Sequence, residues 1–195
     1  MALLALMPLL MAVLVSSRRQ LRLGPDGRRL GALTLAALLF SWLGDATGPL
    51  FVLKVALFLV AQCCYVAAFW PYRRESVWRR PGVAVAYLAT IGVLVCLVVP
   101  HAGALAGPVV VYAVSLALMA VLATGVGRAA GWGGGLFVLS DAILALDHFV
   151  GWADVSNPYF WNVLTYGPAQ ALLVWGVLKR MATLTPPKRA APPAA

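Results

Sequence analysis

The feature that most limits what this chain can fold into is a succession of apolar runs, each close to the thickness of a bilayer and separated by short polar segments. A helix needs about 20 mostly apolar residues to cross a hydrocarbon core, with about 17 as the practical minimum. Seven runs approach or reach that length: Ala2 to Val15, Leu30 to Ala46, Pro49 to Trp70, Gly82 to Val99, Leu105 to Thr124, Gly131 to Val150 and Pro158 to Leu178. The first is short unless Ser16 and Ser17 extend it. In lipid each run has to satisfy its own backbone, which excludes open strands and leaves helices. Of the 195 residues, 63% are hydrophobic and 11% charged, whereas soluble domains are about half apolar and a quarter charged. The expected architecture is all-α, a polytopic transmembrane bundle of about seven helices over residues 1–180. A disordered, Pro/Ala-rich cytoplasmic tail should follow at 181–195, because that stretch has no apolar face to bury.

The net charge of +9 does not point to nucleic acid, because the basic residues sit in short loops between apolar runs. Arg18, Arg19, Arg22, Arg28 and Arg29 lie between the first two runs. Arg73, Arg74, Arg79 and Arg80 lie between the third and fourth, and Arg128 between the fifth and sixth. Lys179, Arg180, Lys188 and Arg189 follow the seventh. These are alternate loops, so they share one side of an odd-numbered bundle. The positive-inside rule then sets the N-terminus outside and the C-terminus in the cytoplasm. Lys54, near the outer end of the third run, is the exception. It would snorkel outward or pair with Asp45 across the short turn. Trp70, Trp78, Trp132, Trp152 and Trp161 fall near predicted helix ends, where amphipathic rings prefer to sit. The first run carries its positive cluster after the apolar stretch, not before it, and so reads as a retained anchor and not a cleavable signal. Cys63, Cys64 and Cys96 lie inside apolar runs and read as buried small hydrophobes.

Acidic and polar residues inside such runs need a reason. A charge in the bilayer costs a few kcal/mol even on lenient scales, about +2.5 to +3.5 at a helix centre. Asp45, Asp141 and Asp147 fall within or at the ends of runs, beside Gln62, Tyr65, Ser140, His148, Tyr166 and Gln170. Gln62 and Tyr65 share one helix face, as do Tyr166 and Gln170, and Asp141 and His148. Each face should turn into the bundle and enclose a polar chamber with two carboxylates. Pro168 should free a helix carbonyl near the Tyr166 face. Asp45, beside Gly44, Thr47 and Gly48, is either an interfacial turn residue or one member of that pair. Asp141 lies about ten residues into its run, roughly 15 Å deep at 1.5 Å per residue, which rules out a surface role. Asp147 and His148 approach the outer end and read as solvated. Gln62, Tyr65 and Gln170 are either ligand contacts or interhelical glue. The glycines at Gly131, Gly133, Gly134 and Gly135 suit close helix packing, since no phosphate-loop pattern surrounds them. His101 and His148 are the two histidines, too few for the usual three-ligand catalytic zinc. Neither a metal nor another cofactor is expected.

Four stretches in order resemble the YhhN-type lysoplasmalogenase family of membrane proteins: LLFSWLGD at Leu38 to Asp45, FVLKVALFLVAQCCY at Phe51 to Tyr65, GGLFVLSDAILALDHF at Gly134 to Phe149, and TYGPAQALLVWG at Thr165 to Gly176. Val111 to Met119, with Tyr112 and Met119, is a weaker fifth. The family commonly has His where this chain has Gln62, its early Lys-Pro pair is missing, and its members often have eight helices. The resemblance implies that Asp45 and Asp141 form the catalytic pair, without a cofactor. Gln62, Tyr65, Ser140, Tyr166 and Gln170 would bind substrate. It also implies hydrolysis of the vinyl ether bond of lysoplasmalogens, giving a fatty aldehyde and glycerophosphocholine or glycerophosphoethanolamine. The family is similar to a wider group of seven-helix hydrolases that includes the zinc-dependent alkaline ceramidases, whose His ligands this chain lacks.

The chemistry suits two acids in an apolar interior. A vinyl ether hydrolyses by protonation at carbon, and the resulting oxocarbenium ion is captured by water. Burial disfavours the charged form of a carboxyl, so one such group can keep a proton for general acid catalysis near neutrality. A second, ionised carboxylate would stabilise the cation and orient the water, as glycosidases do at a similar cation. On depth alone Asp141 takes the acid role and Asp45 the carboxylate role. The partners implied are a lipid substrate and the membrane, with no nucleic acid, and the site of action is the cell membrane. A proton-coupled transporter and a non-catalytic scaffold are the competing readings. The orientation has a direct check. A fluorescent reporter that folds only in the cytoplasm should be active when fused after Ala195, and a phosphatase that works only outside should be inactive there.

Overall fold

The computed structural model describes residues 2–21, 23–77, 81–150 and 156–185. Among these residues all regular structure is helical. The α-helices are α1 (Ala2–Gln20), α2 (Pro25–Ala46), α3 (Phe51–Phe69), α4 (Pro81–Val98), α5 (Ala106–Val126), α6 (Arg128–Phe149) and α7 (Pro158–Thr183). Short 3-10 turns at Trp70–Glu75, Val99–His101 and Gly103–Leu105 finish α3, finish α4 and lead into α5. By length and composition, four stretches are long and apolar enough to cross a membrane: Pro25–Ala46, Phe51–Glu75, Gly103–Val126 and Arg128–Phe149. Val85–His101 is a shorter apolar helix. Trp78, Trp152, the basic residues Arg22, Arg79, Arg80, Lys188 and Arg189, and the tail from Pro186 onward lie outside the described residues.

Several helices start earlier or end later than their apolar runs, for local reasons. Ser16 and Ser17 do extend α1, which continues to Gln20. α2 begins at Pro25, where the ring's fixed φ and missing N–H suit the first helical position, and Asp26 favours the positive end of the helix dipole. α6 follows α5 after Gly127 alone, whose φ of 156° is hard for any other residue. Asn157 takes a left-handed φ of 56° and caps α7, its Oδ1 accepting from the Phe160 N–H at 3.2 Å. At its far end α7 runs through Met181, which is fully buried.

α2 and α6 end on one side of the bundle and α3, α5 and α7 on the other, as contacts at its two ends demonstrate. At one end Phe51, opening α3, stacks on His148, closing α6, at 3.7 Å between ring centres. Gly44 near the end of α2 packs on Phe58 and Lys54 of α3. At the other end Gly125 of α5 sits against the Tyr72 backbone. Arg180 of α7 lies over the Tyr72 ring and pairs with Glu75 at 2.5 Å. The basic residues of this end cover aromatic faces, with Arg73 over Trp70 and Lys179 over Trp175.

The outer surface is apolar where lipid would meet it, with Val52, Val85 and Val93 all strongly exposed. Cys63 and Cys96 also face outward and Cys64 is half-buried, all three as free thiols, which corrects the expectation that they are interior residues. Lipid tails are as apolar as a protein core, so a small hydrophobe gains nothing by turning inward. The core instead relies on small residues. A Cβ on Gly133 would lie 2.8 Å from both the Ala169 carbonyl oxygen and the Leu173 nitrogen of α7. One on Gly134 would lie 2.9 Å from Ala120 Cα, and one on Gly176 2.6 Å from the Ala130 nitrogen. Gly133→Ala should therefore destabilise the bundle by about 1–3 kcal/mol through overpacking against backbone. Gly92→Ala, which meets nothing within 4 Å, should be neutral or slightly stabilising. Thermal unfolding of the two variants in detergent checks both.

Candidate functional site

Polar side chains from five helices gather in the interior of the bundle. α2 contributes Ser41 and Asp45, four residues apart and so on one face. α3 contributes Gln62 and Tyr65, α5 Tyr112, α6 Ser140 and Asp141, and α7 Asn162, Tyr166 and Gln170. Ser41, Gln62, Tyr65, Ser140 and Gln170 are fully buried and Tyr166 nearly so. Phe58, Phe137 and Tyr166 form an edge-to-face aromatic cluster beside them, with ring centres 5.3–6.5 Å apart. Asp45 lies within one turn of the end of α2. Asp141 lies eight residues before the end of α6, roughly 12 Å at 1.5 Å per residue. Because α2 and α6 run the same way, both acids belong to the same end of the bundle.

The hydrogen bonds divide these residues into two groups. Tyr65 O–H donates to Gln170 Oε1 at 2.5 Å. The Gln170 amide donates to Ser41 Oγ and to the Tyr166 hydroxyl oxygen, both at 3.2 Å. This single carboxamide thus ties α3, α2 and α7 together. Asn162 Nδ2 donates to Ser140 Oγ at 3.0 Å and joins α7 to α6. The Asp45 carboxyl adjoins that network through Tyr166, whereas Asp141 and Gln62 lie at Tyr112. Tyr112 O–H donates to Asp141 Oδ2 at 2.5 Å. The Tyr166 phenol lies beside the Asp45 carboxyl, yet Asp45 Oδ2 is buried with no hydrogen-bond partner. Gln62 lies beside the Tyr112 phenol, but neither its Oε1 nor its Nε2 has a partner. A buried polar atom left in this state costs about 1–3 kcal/mol. Asp45 and Asp141 are within electrostatic reach of each other, and Lys54 is within reach of Asp45.

Each residue anticipated from the sequence can now be located. Asp45, Asp141, Gln62, Tyr65, Tyr166 and Gln170 are joined by hydrogen bonds or electrostatic contact, whereas Ser140 is buried against Asn162. Asp45 and Asp141 are both half-buried, with Asp141 the further of the two from its helix end. His148 does not join Asp141 in the interior. It is exposed and stacks on Phe51, because α6 ends one residue later, at Phe149, where the end of the bundle is open. Asp147 is exposed beside it. Pro168 and Leu164, whose carbonyl the proline deprives of its helix donor, both lie on the outward face, away from Tyr166. His101 bonds the Leu97 carbonyl at 2.9 Å. Among the described residues no three His, Cys, Asp or Glu side chains gather closely enough to hold a metal ion. The sequence reading assigned no role to Ser41, Tyr112 and Asn162. Ser41 is four residues before Asp45, and Asn162 four before Tyr166, so helical spacing was the signal for both.

With this geometry in hand, comparison with known proteins adds one decisive match. Residues 2–177 fit the family model described as the YhhN family. The chain belongs to the YhhN family. It is also 33% identical, over 149 residues, to lysoplasmalogenase TMEM86B of Homo sapiens. That match covers 73% of this chain and 62% of the relative, so the chain spans less than two thirds of the relative's length. No solved structure matches it. In this YhhN-family bundle Gln170 is the polar hinge-pin of three helices, which makes its removal informative. Gln170→Leu leaves Tyr65 and Ser41 without their partner and should lower stability by about 1–3 kcal/mol. Tyr65→Phe, which removes one bond only, should cost about 0.6–1.7 kcal/mol. Thermal unfolding in detergent measures both.

Proposed function

We propose that this protein is a membrane-embedded hydrolase that cleaves the vinyl ether bond of lysoplasmalogens, with Asp45 and Asp141 as its catalytic pair. The products are a fatty aldehyde and glycerophosphocholine or glycerophosphoethanolamine. The observation that carries the reading is that two acids, remote in sequence, lie within electrostatic reach of each other inside the bundle, at the same end of it. Family membership and the relative named as a lysoplasmalogenase support the reaction class. The site of action is the cell membrane, with the N-terminus outside and the C-terminus in the cytoplasm, as the loop charges imply.

The hydrogen bonds favour a division of labour opposite to the one that depth suggested. Asp141 accepts a phenolic proton from Tyr112, an arrangement that suits a carboxylate. Tyr166 lies beside the Asp45 carboxyl in the same way, but Asp45 Oδ2 has no partner and can present a proton to substrate. Asp45 therefore transfers its proton to the vinyl carbon remote from the ether oxygen, and the carbon–carbon double bond becomes an oxocarbenium ion. Asp141, as the anion, stabilises that charge and takes a proton from water as the water oxygen bonds to the cationic carbon. The hemiacetal so formed breaks its carbon–oxygen bond to glycerol. Its hydroxyl proton is lost, the glycerol oxygen gains one, and Asp45 is reprotonated. The sum is one water consumed per aldehyde and alcohol formed.

The remaining polar residues hold this pair in place. Tyr65, Ser140, Tyr166 and Gln170 border the substrate while bonding chiefly to protein groups. Purified protein incubated with a 1-alkenyl lysophospholipid should release aldehyde. Asp45→Asn and Asp141→Asn should each lower kcat/KM by about 10²–10⁴-fold, the range of a lost general acid or base, with unfolding temperatures little changed. Full activity in both variants would leave the scaffold reading in its place, and proton flux in liposomes without aldehyde release would favour the transporter.

A further inference from the structure

Gln62 is the one residue of this interior group whose chemistry is unused. Its side chain is fully buried, and both its donor and its acceptor lack a partner. Native interiors leave few such groups. No neighbour donates to its oxygen, because the Tyr112 proton is committed to Asp141, and the Tyr112 oxygen beside it can do no more than accept from its amide. Tyr65, Tyr166, Ser41 and Gln170 are bonded among themselves, and Ser140 accepts from Asn162. The missing partner has to donate to the carboxamide oxygen and can accept from its nitrogen, and an alcohol hydroxyl does both.

We infer that Gln62 binds the free hydroxyl on the central glycerol carbon of the substrate and so makes the site selective for lyso lipids. The inference rests on the lysoplasmalogenase reading. That hydroxyl is on the carbon next to the one bearing the vinyl ether oxygen. Any pose that brings the ether between Asp45 and Asp141 therefore carries the hydroxyl in beside them. Gln62 reaches it from α3, beside Tyr112 and hence beside Asp141. Its Nε2 donates to the hydroxyl oxygen and its Oε1 accepts the hydroxyl proton. An acyl group at that carbon removes the donor and adds bulk where the carboxamide sits. A carboxamide does not titrate and cannot activate water, which leaves the hydrolytic water to Asp141. A site built to bond a hydroxyl discriminates strongly against the analogue without it, because its own polar groups are then left unpaired.

The test compares a 1-alkenyl lysophosphocholine with its 2-deoxy analogue, which lacks that hydroxyl but adds no bulk. The full-length wild-type protein should prefer the hydroxyl substrate by about 10–100-fold in kcat/KM, the value of one or two buried hydrogen bonds. Gln62→Met should reduce the preference to less than about threefold and still cleave the 2-deoxy substrate. Because it deletes two orphaned polar atoms, the same variant should also unfold at a higher temperature without substrate. Gln62→His, which keeps a donor and an acceptor, should retain much of the preference. Aldehyde from neither substrate removes the lysoplasmalogenase reading itself. Equal cleavage of both by the wild type overturns the role of Gln62 and leaves that reading standing. So does a Gln62→Met variant that slows both substrates by one factor, which would assign Gln62 to the water. A less stable Gln62→Met variant with its preference intact would make the residue interhelical glue.

Discussion

A polar group inside a helix bundle in lipid has no water to fall back on, so its partner has to come from another helix or from a ligand. The interior of this protein is arranged around that constraint. Gln170 meets it within the protein, since its oxygen accepts from Tyr65 while its amide serves Ser41 and Tyr166. One carboxamide thereby determines how α2, α3 and α7 stand to one another near the middle of the bundle. Such bonds add little to net stability where an unfolded helix in the membrane finds other partners. They do penalise every arrangement that leaves one end unpaired.

Close approach of the helices makes this network possible. Gly133, Gly134 and Gly176 allow the backbones of α5, α6 and α7 to touch where a Cβ would collide, and Gly44 lets Phe58 pack directly on α2. The aromatic cluster of Phe58, Phe137 and Tyr166 fills the space beside the acids and keeps their surroundings of low polarity. Tight apolar packing and satisfied hydrogen bonds surround a few unsatisfied atoms, which under the proposed reading are left for substrate. Tyr112 adds orientation by holding Asp141 through one oxygen.

Much of this arrangement was legible from residue spacing. Apolar runs near bilayer length located every helix, and pairs three or four apart put Gln62 with Tyr65 and Tyr166 with Gln170 on inward faces. Spacing was less reliable where helices end or where the outside is as apolar as the inside. His148 shares a nominal face with Asp141 yet turns out to stack on Phe51. Pro168 lies outward although Tyr166 and Gln170, two residues to either side, lie inward. Cys63 and Cys96 are apolar enough for either environment, so their chemistry did not choose between core and lipid.

The sequence by itself determined the class of the molecule, its helices and the inward faces of those helices, because hydrophobicity and helical period act along one chain and can be read along it. It also supplied Asp45 and Asp141 as residues with no ordinary reason to sit where they do. Only the tertiary structure decided which polar groups find partners. That Gln170 is committed to three neighbours, that Asp141 is held by Tyr112, and that Gln62 and Asp45 Oδ2 have no partner all depend on contacts between helices distant in sequence. A hydrogen bond is settled by a few tenths of an ångström and by direction, and neither quantity is encoded in the spacing of residues along a single helix.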